Sequence, residues 1–183
     1  MRKPLQTYDL NIPVDDYKMK AVMERDKANF ESPNIWFYVG ADSRDPGFAK
    51  VGITMGDLRS RSYSSANPNY YLFCAFQCIQ GTSKSQLESI ELGALTHLDA
   101  VFPNHRTRHM ESQRLSECYY NIDFEYFFSC LHDYLHDNHY SNFQTAGFVN
   151  ELGDDDGYAL AWEFNPLLPP EVKSRFRSLI LRY

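Results

Sequence analysis

Ile35-Trp-Phe-Tyr-Val-Gly-Ala41, Asp42-Ser-Arg-Asp-Pro-Gly47 and Phe48-Ala-Lys-Val-Gly-Ile53 form the stretch whose reading decides the fold. Aromatic and β-branched residues fill both outer runs, and the polar segment between them carries Pro46-Gly47, so the pattern predicts two antiparallel strands joined as a hairpin. Working outward, GDLRSRSYSS (56–65) is polar except for Leu58 and reads as a short helix anchored by that residue. Asn67-Pro68-Asn69 breaks it, and YYLFCAFQCI (70–79) supplies a third strand. Gly81-Thr82-Ser83 offers an N-cap for a long helix on which Leu87, Glu91, Ala94, Leu98 and Val101 share one face, ending at Pro103.

The flanks read more simply. A helix is expected over 13–29, closed by Ser32-Pro33. Residues 104–114 hold three Arg and two His in a segment read as irregular. A short extended run (116–123), an aromatic helix (124–137), a hairpin around LGDDDG (152–157) and a terminal helix after Pro169-Pro170 follow. The fold class is therefore α+β: a three-stranded antiparallel sheet flanked by helices. Residues 1–33 form an N-terminal helical extension, 34–122 the central domain, and 123–183 an acidic C-terminal extension.

With 183 residues, 43% hydrophobic and 15% aromatic, the chain can bury one substantial core. No run approaches the roughly 20 apolar residues of a membrane helix, and the early positive charge has no apolar segment behind it, so a cytoplasmic protein is expected. Cys74, Cys78, Cys118 and Cys130 form no Cys-x-x-Cys pair and are expected to be reduced thiols. The net charge of −6 is unevenly spread: residues 36–114 carry eight basic and seven acidic groups, whereas 115–183 carry four against eleven. Non-specific affinity for nucleic acid comes mostly from neutralising phosphates, so any such binding belongs to the middle of the chain. The acidic last third is a candidate contact for a basic protein partner.

A hairpin, an Arg-bearing short helix, a third strand and a long helix containing an acid, in that order, resemble the GIY-YIG nuclease superfamily. Trp36-Phe37-Tyr38-Val39 occupies the place of Gly-Ile-Tyr, without the leading Gly-Ile. Lys50-Val51-Gly52 occupies the place of Tyr-Ile-Gly and is similar to the Lys-Ile-Gly of a phage- and restriction-associated branch. Glu117-Cys118-Tyr119 resembles that branch's downstream Glu-Trp-Phe, with Cys118 where Trp is expected. The resemblance covers about half of the chain. It implies a DNA endonuclease dependent on Mg²⁺ or Mn²⁺; the competing reading is a module that keeps the fold, lacks catalysis and binds DNA or a protein.

Phosphodiester hydrolysis needs an oxygen nucleophile, a base, and positive charge for the phosphoryl oxygens and leaving group. Lys50, if its amine is partly desolvated, is the candidate base, directly or through Tyr38. Arg61 is the candidate phosphate clamp, with Arg59 its nearest competitor, because a guanidinium can grip two oxygens. Tyr63 is a candidate for orienting water or phosphate. Glu91, set in the apolar stripe of the long helix, is the expected metal ligand, with Glu88 in reserve. Arg106, Arg108 and Arg114 are expected to contact backbone phosphates. His105/His109 and His132/His136/His139 have spacings that suit zinc, but neither set has a nearby Cys partner or the Glu of the protease motif.

Overall fold

The computed structural model describes Met23, residues 34–56, Leu58, 67–149 and 155–183. Of the expected helix over 13–29 only Met23 is among these residues, and it is helical; Arg59, Arg61 and Tyr63 lie outside them.

The hairpin forms as expected. Strand β1 (Trp36–Asp42) pairs antiparallel with β2 (Ala49–Thr54), Tyr38 opposite Gly52 and Gly40 opposite Lys50. Its turn is built by side chains: Asp42 Oδ1 accepts from the Arg44 N–H at 2.8 Å and Asp45 Oδ1 from the Gly47 N–H at 3.0 Å. Asn67 Nδ2 donates to the other Asp42 oxygen at 2.6 Å, which ties this turn to the entry of β3 (Tyr70–Gln77). β3 lies along the far side of β1, so β1 is central.

The sheet has six strands rather than three, in the order β4-β5-β2-β1-β3-β8, every neighbouring pair antiparallel. β4 (Arg106–Arg108) and β5 (Leu115–Tyr119) extend the β2 side. β4 lies in the segment read as irregular; Arg-Thr-Arg has no apolar alternation, and what makes it a strand is its pairing with β5. β8 (Trp162–Phe164) extends the β3 side. The C-terminal run read as one strand is two. β7 (Asp155–Leu160) pairs with β6 (Thr145–Val149) as a separate ribbon, and the chain then crosses at Ala161 into the main sheet. There the Gln77 N–H donates to the Ala161 carbonyl at 2.8 Å.

Three α-helices lie among the described residues. α1 (Lys84–Val101) begins with a full capping box, Ser83 accepting from the Gln86 N–H while the Gln86 side chain accepts from the Ser83 N–H. α2 (Phe124–His139) is capped by Asp123, and α3 (Pro170–Ile180) has proline in its first turn. They share one core with the sheet: Phe37, Val39, Val51, Phe73 and Phe76 from the strands, Leu87 and Leu98 from α1, Phe128 and Leu131 from α2, Phe176 and Ile180 from α3. At its centre, the Phe73 ring meets those of Phe124, Phe128, Phe164 and Phe176 at 4.6–5.8 Å, each edge-on to it.

One irregularity positions the site. The β1–β3 register slips between Val39, opposite Cys74, and Gly40, opposite Leu72. Phe73 is the extra residue, so Phe73 and Cys74, adjacent in sequence, both join the core on the helix-covered side. Beyond this bulge the alternation reverses: Leu72 and Tyr70, instead of Phe73 and Tyr71, share the opposite face with Trp36, Tyr38 and Ala75. On that face Trp36, Tyr38, Leu72 and Ala75 make a second, smaller apolar cluster with Leu58 packed against it.

Candidate active site

Tyr38 and Lys50 lie on the same face of the sheet, because Lys50 pairs with Gly40, two residues along β1 from Tyr38, and Tyr38 pairs with Gly52, two residues along β2 from Lys50. Both glycines matter for space. A Cβ on Gly52 would collide with the Tyr38 ring, and one on Gly40 with the Tyr70 ring. Each tyrosine therefore lies flat across a neighbouring strand at the one residue type that admits it. Lys50 is half-buried, with its Nζ 5.6 Å from the centroid of the Tyr70 ring. Tyr70 is itself held edge-on by Phe48 at 6.4 Å.

Glu91 lies on α1, which covers the face of the sheet opposite Tyr38 and Lys50. Leu87, Ala94 and Leu98 of its stripe are fully buried, and Glu91 is partly so. Burial raises its carboxyl from the ordinary 4.5 to about 7, aided by the negative charges of Glu117 and Glu88 and opposed by Arg106 and Lys50. Glu91 thus sits within electrostatic reach of Lys50 on one side and Glu117 on the other. Glu88 is different: it is exposed and pairs with Lys84 one turn earlier at 3.5 Å. Between the two acids, burial favours Glu91 as the functional one.

β5 completes the edge. Cys118 is opposite Lys50 and Tyr119 opposite Ala49, so Glu117 and Tyr119 share the side facing α1. Tyr119 is fully buried and donates to Asp99 Oδ1 at 2.7 Å. Arg106 pairs with the other Asp99 oxygen at 2.9 Å and donates from Nε to the Ser116 carbonyl. The Arg106 guanidinium is thus engaged inside the β4–β5–α1 junction, where it counters Glu91, rather than lining a groove. Arg108 and Arg114 are exposed on the β4–β5 hairpin, Arg108 donating to the Gln113 carbonyl at 2.8 Å.

The histidines serve the packing. His105 Nδ1 lies 2.8 Å from the Tyr120 carbonyl, and His139 Nε2 lies 3.2 Å from the Tyr134 hydroxyl. His132 is completely buried against Phe76 and its ring is stacked on that of His136. Among the described residues no group of three or more His, Cys, Asp or Glu side chains is placed to hold a metal ion. Glu91 feels the charge of Glu117, and a magnesium-type ion needs as few as one or two carboxylates, its remaining positions being filled by water and substrate phosphate. All four cysteines are free thiols, Cys74 and Cys78 being buried. No helix among the described residues is long and apolar enough to cross a membrane.

Tyr70 and the two tyrosine-bearing glycine positions were not singled out by sequence. Tyr70 reads there as one more aromatic of a buried strand, and only the bulge chooses it over Tyr71. Comparison of the chain with family models, curated proteins and solved structures finds no match.

Proposed function

We propose that this protein is a Mg²⁺- or Mn²⁺-dependent DNA endonuclease of GIY-YIG type, working with Tyr38 and Lys50 of the sheet and Glu91 of α1. The observation that supports it best is the placement of Lys50 on the Tyr38 face of the paired β1 and β2 strands. Glu91 of α1 adds a half-buried carboxyl whose proton affinity is raised by burial and by the Glu117 and Glu88 charges, and which feels the Lys50 charge.

In this reading Glu91, with Glu117 beside it, holds the divalent ion. When bound, the ion supplies positive charge to the phosphoryl oxygens and lowers the proton affinity of a coordinated water. Lys50 takes the proton of the attacking water, directly or through the Tyr38 phenol, as the oxygen approaches phosphorus opposite the departing sugar oxygen. Arg61 is assigned to the phosphoryl oxygens, Arg59 and Tyr63 to the same segment's contacts with substrate, and Arg108 and Arg114 to flanking phosphates. Free thiols agree with a cytoplasmic place of action.

The inward engagement of Arg106 favours a second reading, a module that binds DNA or, through its acidic last third, a basic protein, without cleaving. One experiment separates them: supercoiled plasmid incubated with the full chain and Mg²⁺ or Mn²⁺, with chelator, and with Glu91→Gln. Nicked or linear product that disappears with chelator and with Glu91→Gln is expected. Plasmid retarded in a gel but uncut under all conditions would establish the binding module instead.

A further inference from the structure

We infer that Tyr70 is a positioning residue for the proposed nuclease chemistry: its ring face holds the Lys50 amine in place on the Tyr38 face of the sheet. The inference rests on the reading of Lys50 as the proton acceptor.

Three independent features converge on this tyrosine. The bulge at Phe73 reverses the side-chain alternation of β3, so that Tyr70 and not Tyr71 reaches the Lys50 face. Bulges beside functional sites commonly serve to re-aim one side chain. The glycine at position 40 leaves the space in which the Tyr70 ring lies across β1; any side chain there would displace it. Phe48, the residue just before β2, buttresses the ring edge-on at 6.4 Å. The product of these three is a single contact, Lys50 Nζ at 5.6 Å from the ring centroid, within the range of a cation–π interaction.

The ring acts by placement. A ring face attracts a cation, so the Tyr70 ring fixes where the Lys50 amine rests beside Tyr38. Holding a reacting group in place without adding a contact to substrate shows in kcat rather than in substrate affinity. Tyr70 is itself buried, with 7% of its surface exposed, so it acts through Lys50 rather than by touching DNA.

The test uses the full chain with phenylalanine and then 3,4,5-trifluorophenylalanine at position 70. Tyr70→Phe keeps the ring and should cleave like wild type; fluorination keeps the shape but removes most of the negative charge of the face, and should lower kcat about tenfold at unchanged KM. NMR provides a readout that needs no activity. The Lys50 Hε resonances should be shifted upfield by the ring in wild type and in both ring variants, and should return to ordinary lysine values in Tyr70→Leu. Unshifted Hε resonances in wild type, or equal kcat for the phenylalanine and trifluorophenylalanine forms, would overturn the inference. Upfield Hε resonances in a chain that never cleaves would leave Tyr70 holding Lys50 while refuting the nuclease reading, and with it the catalytic part of this inference.

Discussion

Replacing Glu91 by glutamine should stabilise the metal-free protein above neutral pH while abolishing metal-stimulated cleavage. The native carboxyl keeps its proton to about pH 7, against an ordinary value of 4.5, mainly because it is partly buried and secondly because Glu117 and Glu88 are near. Between those values the native chain binds more protons than the unfolded one. Stability linked to Glu91 is therefore complete below about pH 4.5, declines as pH rises, and has been lost once pH passes about 7. At about 1.4 kcal/mol per pH unit the full interval corresponds to roughly 3 kcal/mol. Water still reaches part of this carboxyl, and screening reduces the expected effect to about 2 kcal/mol. Glutamine is nearly isosteric and carries no charge to bury, so Glu91→Gln should unfold at higher urea than wild type at pH 8 and at nearly the same urea at pH 4.5. Adding Mg²⁺ at pH 8 should raise the wild-type midpoint by linkage and leave the variant unmoved. A variant less stable than wild type at pH 8, or shifted by the same amount at both pH values, would refute the account of a carboxylate held charged at an unfavourable site.

Gly52→Ala should cost about 1 to 3 kcal/mol in urea unfolding, because the added Cβ meets the Tyr38 ring inside the smaller apolar cluster; an unchanged midpoint would mean that the ring is free to move aside. His132 is fully buried and held neutral by desolvation, with the Arg182 and His136 charges opposing protonation and Asp133 favouring it. Its native pKa is depressed, so the unfolded chain binds the extra proton, and stability linked to it should fall as pH drops below the ordinary value of 6.5. Thermal unfolding of wild type and His132→Leu between pH 5 and 8 should show a smaller acid-side decline in the variant, and parallel curves would exclude the histidine as its source.

Much of this fold is legible in the sequence because its signals are local. The Pro46-Gly47 turn, the Asn67-Pro68-Asn69 break and the Ser83 cap each fix a boundary through a few neighbouring residues, and β1, β2, β3 and α1 lie where those signals put them. Glu91 is legible as well, since a carboxylate within an apolar helical stripe stands out by pattern alone. What is hidden depends on distant pairing. Nothing in Arg106-Thr107-Arg108 distinguishes a strand from a loop, and the engagement of Arg106 requires Asp99, seven residues earlier on α1. The bulge is equally hidden: Tyr70 and Tyr71 are interchangeable in composition, and only the slipped register against Val39 and Gly40 decides which one meets Lys50.

The strand order also sets a schedule for synthesis. β3 runs beside β1 as soon as residue 77 has been made, but its other edge is closed by β8, and the Phe73 ring at the centre of the core is covered by Phe128, Phe164 and Phe176. A nascent chain that has emerged only as far as Ile122 would present both a bare strand edge and an uncovered aromatic face, the two features that most readily recruit another chain. The ribosome holds the later residues in its tunnel during that interval, so the candidate site cannot rest on a finished sheet until β8 has emerged.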